Sequence, residues 1–275
     1  MAKYGMVIDV SRCVGCFCCF AACKDEHWDN DYPPYAAAQP RFGQFWINPI
    51  KKERGTYPCI KVAYVPNLCV HCDNAPCIEA ARNGAVYKRP DGIVIIDPKK
   101  AVGQQQIVES CPYKVIFWNE EKKLPQKCTL CAHRLKEGKL PRCVMSCPSE
   151  ALKFGNLDDP KSEVARLVAS GKTEPLYPEH DVKPRIHYLN VPKIFISGSV
   201  VYGDIKECAE GASVVLTSNG RSINTTANAF GDFMFDGLAA GKYSVKIECK
   251  GYAAKTIDVD LKTDNYLGVI NLSLA

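Results

Sequence analysis

The chain has 275 residues, 47% hydrophobic and 24% charged, enough for about two domains, each with its own core, at roughly 150 residues apiece. Its formal charge of +5 is too slight and too scattered to point to nucleic acid, and no run approaches the roughly 18 uninterrupted apolar residues of a membrane helix, so no direct membrane insertion is expected. The outlier is cysteine: of 16, fourteen lie between Cys13 and Cys147 and only Cys208 and Cys249 lie beyond.

The opening stretch, Met-Ala-Lys-Tyr-Gly-Met-Val-Ile-Asp, carries no apolar signal core and no twin arginine. The expectation is a reducing, cytoplasmic setting in which cysteines ligate metal rather than pair as disulfides. Tyr4, Met6, Ile8 and Val10 alternate as a short strand that delivers Cys13.

There follows Cys13-x2-Cys16-x2-Cys19-x3-Cys23, the run by which bacterial ferredoxins hold iron–sulfur clusters. A short loop must aim three thiolates at three corners of one cubane. The fourth cysteine, at the start of a helix pointing away, then serves a different cluster. From Lys24 to about Leu68 the polar, aromatic and proline-bearing sequence reads as irregular structure, assigned to contact with a partner.

Cys69, Cys72 and Cys77 form a second run, whose fourth position is Ala81. Gly84 to Tyr87, the turn Arg89-Pro-Asp-Gly92 and Ile93 to Ile96 predict a hairpin. Counting back from Cys111 by the ferredoxin spacing, a third run would place cysteines at positions held by Ala101, Gln104 and Ile107. Cys128, Cys131, Cys143 and Cys147 form the fourth run, with eleven residues between its second and third cysteines.

These gaps match one another. Four interleaved runs would serve four clusters, and the losses at Ala81, Ala101, Gln104 and Ile107 remove the ligands of one cluster while leaving three whole. Cys13, Cys16 and Cys19 then pair with Cys147; Cys128, Cys131 and Cys143 with Cys23; and Cys69, Cys72 and Cys77 with Cys111. Three oxidised 4Fe-4S cores with four thiolates each, at about −2 apiece, would bring the net charge to about −1. Arg12, Lys24, Lys127, Arg134 and Arg142 stand beside cysteines and can offset that charge.

Any one Cys-x2-Cys also fits a zinc knuckle, but the complete first run and the matched loss favour clusters. Cys18, Cys59, Cys208 and Cys249 are left over and read as small buried hydrophobes. His27, His71 and His133 lie near ligands and read as packing or surface histidines, with tuning of a cluster by hydrogen bonding the alternative.

Asp159-Pro160, a stripe at Val164, Leu167 and Val168, and Gly171 predict one short helix, after which four prolines keep the chain extended to about Lys193. From Ile194 the period becomes two, with turns at Asn219-Gly220, Gly231-Asp232 and Gly241, predicting a small antiparallel sandwich with a structural or docking role. The expected class is α+β: a ferredoxin-like domain over 1–158 with duplicated β-loop-α units, a connector over 159–193, and an all-β immunoglobulin- or prealbumin-like sandwich over 194–275.

The four-run pattern, with Cys23-Lys-Asp-Glu, Asp97 ahead of Cys111-Pro-Tyr, and Lys127-Cys-Thr-Leu-Cys-Ala-His-Arg followed by Pro141-Arg-Cys143 and Cys147-Pro, resembles the iron–sulfur subunits of the dimethyl sulfoxide reductase family of molybdopterin oxidoreductases over residues 1 to about 158. The resemblance implies an electron-transfer subunit with no bond chemistry of its own, in a heterodimer whose large catalytic subunit carries molybdenum in bis(molybdopterin guanine dinucleotide). The missing cluster, Arg54-Gly-Thr-Tyr-Pro58, Asn83-Gly-Ala-Val-Tyr87 and the appended sandwich resemble the transhydroxylase branch of that family. That branch implies rearrangement of hydroxyl groups on an aromatic ring. The alternatives are a subunit of a net oxidoreductase of the same family, acting on resorcinol, catechol, polysulfide or formate, and a stand-alone polyferredoxin.

Overall fold

A computed structural model describes residues 2–275. Its contacts divide the chain into two compact units. One holds the residues up to Lys52 together with Ala63–Val191; the other holds Glu53–Val62 and Pro192–Ala275.

The first unit is built on strand β1 (Tyr4–Asp9), central in a three-stranded sheet. Flanked on both edges, β1 buries Gly5 through Ile8 in succession rather than alternating faces. Gly5 is required there: a Cβ would come within 2.7 Å of the Arg185 carbonyl oxygen. Helix α1 (Cys18–His27) follows, beginning just ahead of the third cysteine of the first run rather than at the fourth.

The stretch 24–68 departs from the expected irregular structure. Its second half is a hairpin of two ten-residue strands, β2 (Ile47–Thr56) and β3 (Cys59–Leu68). Pro49 and Pro66 mask the alternation, which continues through Ile60, Val62 and Tyr64.

Short elements follow: α2 (Pro76–Glu79), β4 (Val86–Lys88), β5 (Val94–Ile96), α3 (Gln106–Glu109), β6 (Phe117–Asn119), β7 (Leu124–Gln126), α4 (Ala132–Lys136) and α5 (Arg142–Met145). The predicted hairpin is β4 against β5, closed by the Arg89 N–H to the Ile93 carbonyl at 2.8 Å. Strand β8 (Leu152–Asn156) pairs antiparallel with β1.

The 159–193 stretch does carry its helix, α6 (Glu163–Ala169), but its N-cap position falls at Ser162, whose side chain makes no capping bond. Asp159 instead accepts the Lys161 N–H at 2.9 Å and shapes the preceding turn. Its extended part is also not a free connector: β9 (Ile186–Leu189) completes the first sheet, parallel to β1. Tyr188 is fully buried and donates its hydroxyl to the Pro66 carbonyl at 2.8 Å.

The second unit contains β10 (Ile194–Tyr202), β11 (Ser213–Ser218), β12 (Arg221–Thr226), β13 (Asp232–Leu238), β14 (Gly241–Glu248), β15 (Lys255–Leu261) and β16 (Asn265–Leu272). They form a three-stranded sheet, β13-β10-β16, and a four-stranded sheet, β12-β11-β14-β15. One core serves both, with Val214, Leu216, Phe233, Phe235, Val245 and Ile247 alternating inward. Each such burial stabilises by about 1.5–3 kcal/mol. The tip of the β2–β3 hairpin belongs to this unit: Gly55 and Phe195 donate backbone N–H groups to the two oxygens of Asp264, both at 3.1 Å.

Candidate metal centres

The Cys-x2-Cys loops that open the three runs share one backbone feature. The residue just before the second cysteine is left-handed in each: Gly15 at φ +67°, His71 at +48° and Leu130 at +48°. This turn folds the loop back so that its amides face the thiols, as where the Leu130 N–H meets the Cys128 Sγ at 3.4 Å. Glycine takes the conformation freely, and at Gly15 a Cβ would in addition lie 2.5 Å from the Tyr64 ring. His71 and Leu130 adopt it at a cost of order 1 kcal/mol or more.

On α1, Cys19 and Cys23 are four residues apart, share a face and are both buried, yet they turn to different neighbours. Burial raises the Cys19 thiol to about 12, with Cys13, Cys147 and Cys16 adding repulsion. Cys13 is likewise raised by burial and by Cys147 and Cys16. Cys23 is raised by burial and then by Cys128, Cys131 and Cys143. The third group takes Cys77 from α2 and the others from loops: burial and the nearness of Cys69, Cys77 and Cys111 raise Cys72 to about 12. These neighbours fall into three groups, or nests, along the lines of the interleaved pairing, with two overlaps: Cys18 also lies beside Cys16 and Cys147, and Cys69 beside Cys128.

The nests differ in depth. Cys23, Cys128, Cys131 and Cys143 are all buried; Cys69 and Cys77 are buried while Cys72 and Cys111 are half-buried; Cys16 of the remaining nest is exposed, between Val14 and Phe17, which are exposed as well. The leftover cysteines correct the expectation of buried hydrophobes: Cys18 and Cys208 are exposed, Cys59 and Cys249 half-buried. All 16 are unpaired.

The donor chemistry of the nests suits iron–sulfur clusters. Where a thiol pKa is raised, burial and repulsion between cysteines oppose the thiolate, and cationic iron offsets both. In a cubane each thiolate binds a different iron. Among the described residues no three His, Cys, Asp or Glu side chains gather on the point a single ion would occupy.

Histidines and cations complete the surroundings. His27 is buried and pushed down to about 3, by burial first and His133 second, so its ring is neutral; its Nε2 lies 3.8 Å from the Cys131 Sγ. His133 Nε2 meets Glu26 Oε1 at 2.9 Å, and Arg134 reaches Glu26 Oε2 at 3.1 Å. Burial works against the Glu26 charge, but the bonds from His133 and Arg134 outweigh it and hold the carboxyl below its ordinary value. Arg12 turns to the Ser149 carbonyl, and Lys24 to Gly43. Lys127 alone of the five cations is fully enclosed, donating to the Val94 carbonyl and to the Cys128 carbonyl.

His71 is the residue that spacing undervalued. It is completely buried and lines the same cavity as Cys69, Cys72, Cys77 and Cys111. The signal was available in its place between two ligand cysteines, where the first run has glycine.

Cysteine runs gathered on a small sheet with short helices, in a chain that also carries a sandwich, point to an iron–sulfur type of electron-transfer protein. Known sequences agree. Residues 60–157 match the 4Fe-4S dicluster domain and residues 196–275 the carboxypeptidase regulatory-like domain. The chain is 43% identical to the pyrogallol hydroxytransferase small subunit of Pelobacter acidigallici, over 99% of this chain and 100% of that protein. It is 35% identical to a putative dimethyl sulfoxide reductase iron–sulfur subunit of Halobacterium salinarum, over 69% of this chain and 80% of that one. It is 32% identical to the arsenate respiratory reductase iron–sulfur subunit of a Shewanella species, over 68% and 96%. The chain belongs to the iron–sulfur electron-transfer subunits of the dimethyl sulfoxide reductase family of molybdopterin oxidoreductases, whose members are themselves non-catalytic. No helix among the described residues is long and apolar enough to cross a membrane.

Proposed function

We propose that this chain holds three 4Fe-4S clusters: one on Cys13, Cys16, Cys19 and Cys147, one on Cys23, Cys128, Cys131 and Cys143, and one on Cys69, Cys72, Cys77 and Cys111. It pairs in the cytoplasm with a large subunit carrying molybdenum in bis(molybdopterin guanine dinucleotide), and the pair shifts hydroxyl groups on an aromatic ring such as pyrogallol. The observation that carries the cluster reading is the gathering of the twelve cysteines as three fours. The full-length likeness to the Pelobacter subunit, sandwich included, supports the aromatic substrate.

When bound, the clusters supply one-electron transfer at potentials set by burial, charge and hydrogen bonds to sulfur. The chain's own residues provide that setting. Amides of Leu130, Arg142 and Ala151 point at the sulfurs of Cys128, Cys131 and Cys147 at 3.3–3.5 Å. The exposed Cys16 side, with Val14 and Phe17, is the face offered to the large subunit. Transhydroxylation has no net redox change, so the electrons adjust the oxidation state of molybdenum rather than leave the complex.

The test is native purification with metal analysis and a turnover assay. About twelve irons on this chain, molybdenum on a co-purifying chain, and turnover of pyrogallol without an added electron acceptor are expected. Obligate dependence on an acceptor would assign the complex to a net oxidoreductase, and a stable monomer with no large subunit would contradict the pairing.

A further inference from the structure

The nest of Cys69, Cys72, Cys77 and Cys111 is flanked by two buried polar groups, a ring nitrogen of His71 with no partner and the Lys127 ammonium with no carboxylate beside it. His71 Nδ1 accepts the Val94 N–H at 3.1 Å. That bond fixes the tautomer: Nδ1 is the acceptor, so the ring proton sits on Nε2. Nε2 is buried and has no hydrogen-bond partner, and the ring lines the cavity between the four cysteines. A buried N–H donor left unpaired is costly. Here it is held, moreover, on a left-handed backbone position that the first loop gives to glycine.

Lys127 faces the same cavity. Its ammonium donates to the carbonyl of Val94, the residue whose N–H holds His71, and to that of Cys128. Among the described residues no carboxylate forms an ion pair with it; the cysteines beside it are Cys69, Cys77 and Cys128, which would carry negative charge as cluster ligands. A buried charge needs a counter-charge, and only cysteine sulfur offers one.

We infer that His71, through its Nε2–H, and Lys127, as a buried ammonium, are positioning residues for the cluster on Cys69, Cys72, Cys77 and Cys111, and hold its reduction potential above what the four cysteines alone would give. This rests on the cluster reading proposed above. One added electron puts one more negative charge inside the nest. A fixed N–H donor and a fixed cation favour that more negative form. Lys127 also borders Cys128, so it acts more weakly on the neighbouring nest.

The test is a dithionite titration of the intact complex followed by paramagnetic resonance, with iron counted in every sample. The signal of this nest is identified as the one lost in Cys111→Ser. His71→Phe keeps a ring but removes the donor; Lys127→Met keeps the stem but removes the charge; Lys127→Arg keeps the charge. Both removals are expected to shift that signal to more negative potential, Lys127→Met to shift the Cys128 signal by less, and Lys127→Arg to leave it close to wild type. Potentials unmoved at full iron content would overturn the inference while leaving the cluster reading intact; wild type without iron would overturn that reading instead. Should the variants lose iron, wild-type protein with 15N-labelled histidine decides. A nitrogen coupled to this nest's signal supports the donor, and its absence overturns it.

Discussion

The two units hold themselves together by different means. The sandwich has long strands, two sheets and a continuous apolar core in which Val214, Val245 and Ile247 are wholly buried. In the cysteine unit four of the helices have only four or five residues, too short to be stable by themselves. Its core also includes Cys19, Cys23, Cys69, Cys128 and Cys143. A domain that spends core positions on thiols and short turns depends on what those thiols bind, whereas a domain with regular apolar alternation does not.

The sharpest way to break this contrast is to remove the metal. Chelation of iron under reducing conditions is expected to abolish amide protection over 63–191 while leaving 213–261 protected, because metal-binding energy is folding energy in such domains. Peptide-resolved hydrogen exchange reads this directly, and simultaneous loss in both units would contradict it. A smaller effect probes the other side. Ile247→Ala, in the sandwich core, is expected to cost about 2–5 kcal/mol in the sandwich transition without lowering iron content. Thermal unfolding paired with iron analysis separates the two.

The smallest effect concerns pH. Asp236 bonds Lys61 at 2.7 Å and Arg54 at 3.4 Å within the second unit. Burial opposes its charge, but the bonds from Lys61 and the Gly237 amide win and hold its carboxyl below the ordinary value. Its contribution is therefore complete above the unfolded carboxylate pKa and is lost as pH falls through the lower folded value. With the carboxylate 40% exposed, at most about 1 kcal/mol is at stake. Asp236→Asn should remove that part of the acid sensitivity; coincident acid-unfolding curves for the two proteins would show that the pair contributes nothing.

How much could be read without coordinates follows the same divide. Ligand spacing is a covalent constraint, so the proposed three fours could be drawn from the runs and from the matched losses at Ala81, Ala101, Gln104 and Ile107. The sandwich was legible because its strands keep a period of two on a half-buried surface. The β2–β3 hairpin was not, since two prolines interrupt its pattern and its middle residues are polar. Nor was β9 evident, because its four residues follow a proline-rich stretch and owe their strand form to pairing with β1. The role proposed for His71 was hidden for a different reason: which ring nitrogen is committed depends on Val94, far away in sequence.

The central claim is the interleaving of the runs, and single-cysteine replacements test it most directly. Cys23→Ser and Cys128→Ser should perturb one and the same paramagnetic signal, while Cys19→Ser and Cys147→Ser perturb a second, although Cys19 and Cys23 lie one helical turn apart. If Cys23→Ser instead altered the signal altered by Cys19→Ser and spared that of Cys128→Ser, each run would serve its own cluster and the account would be wrong.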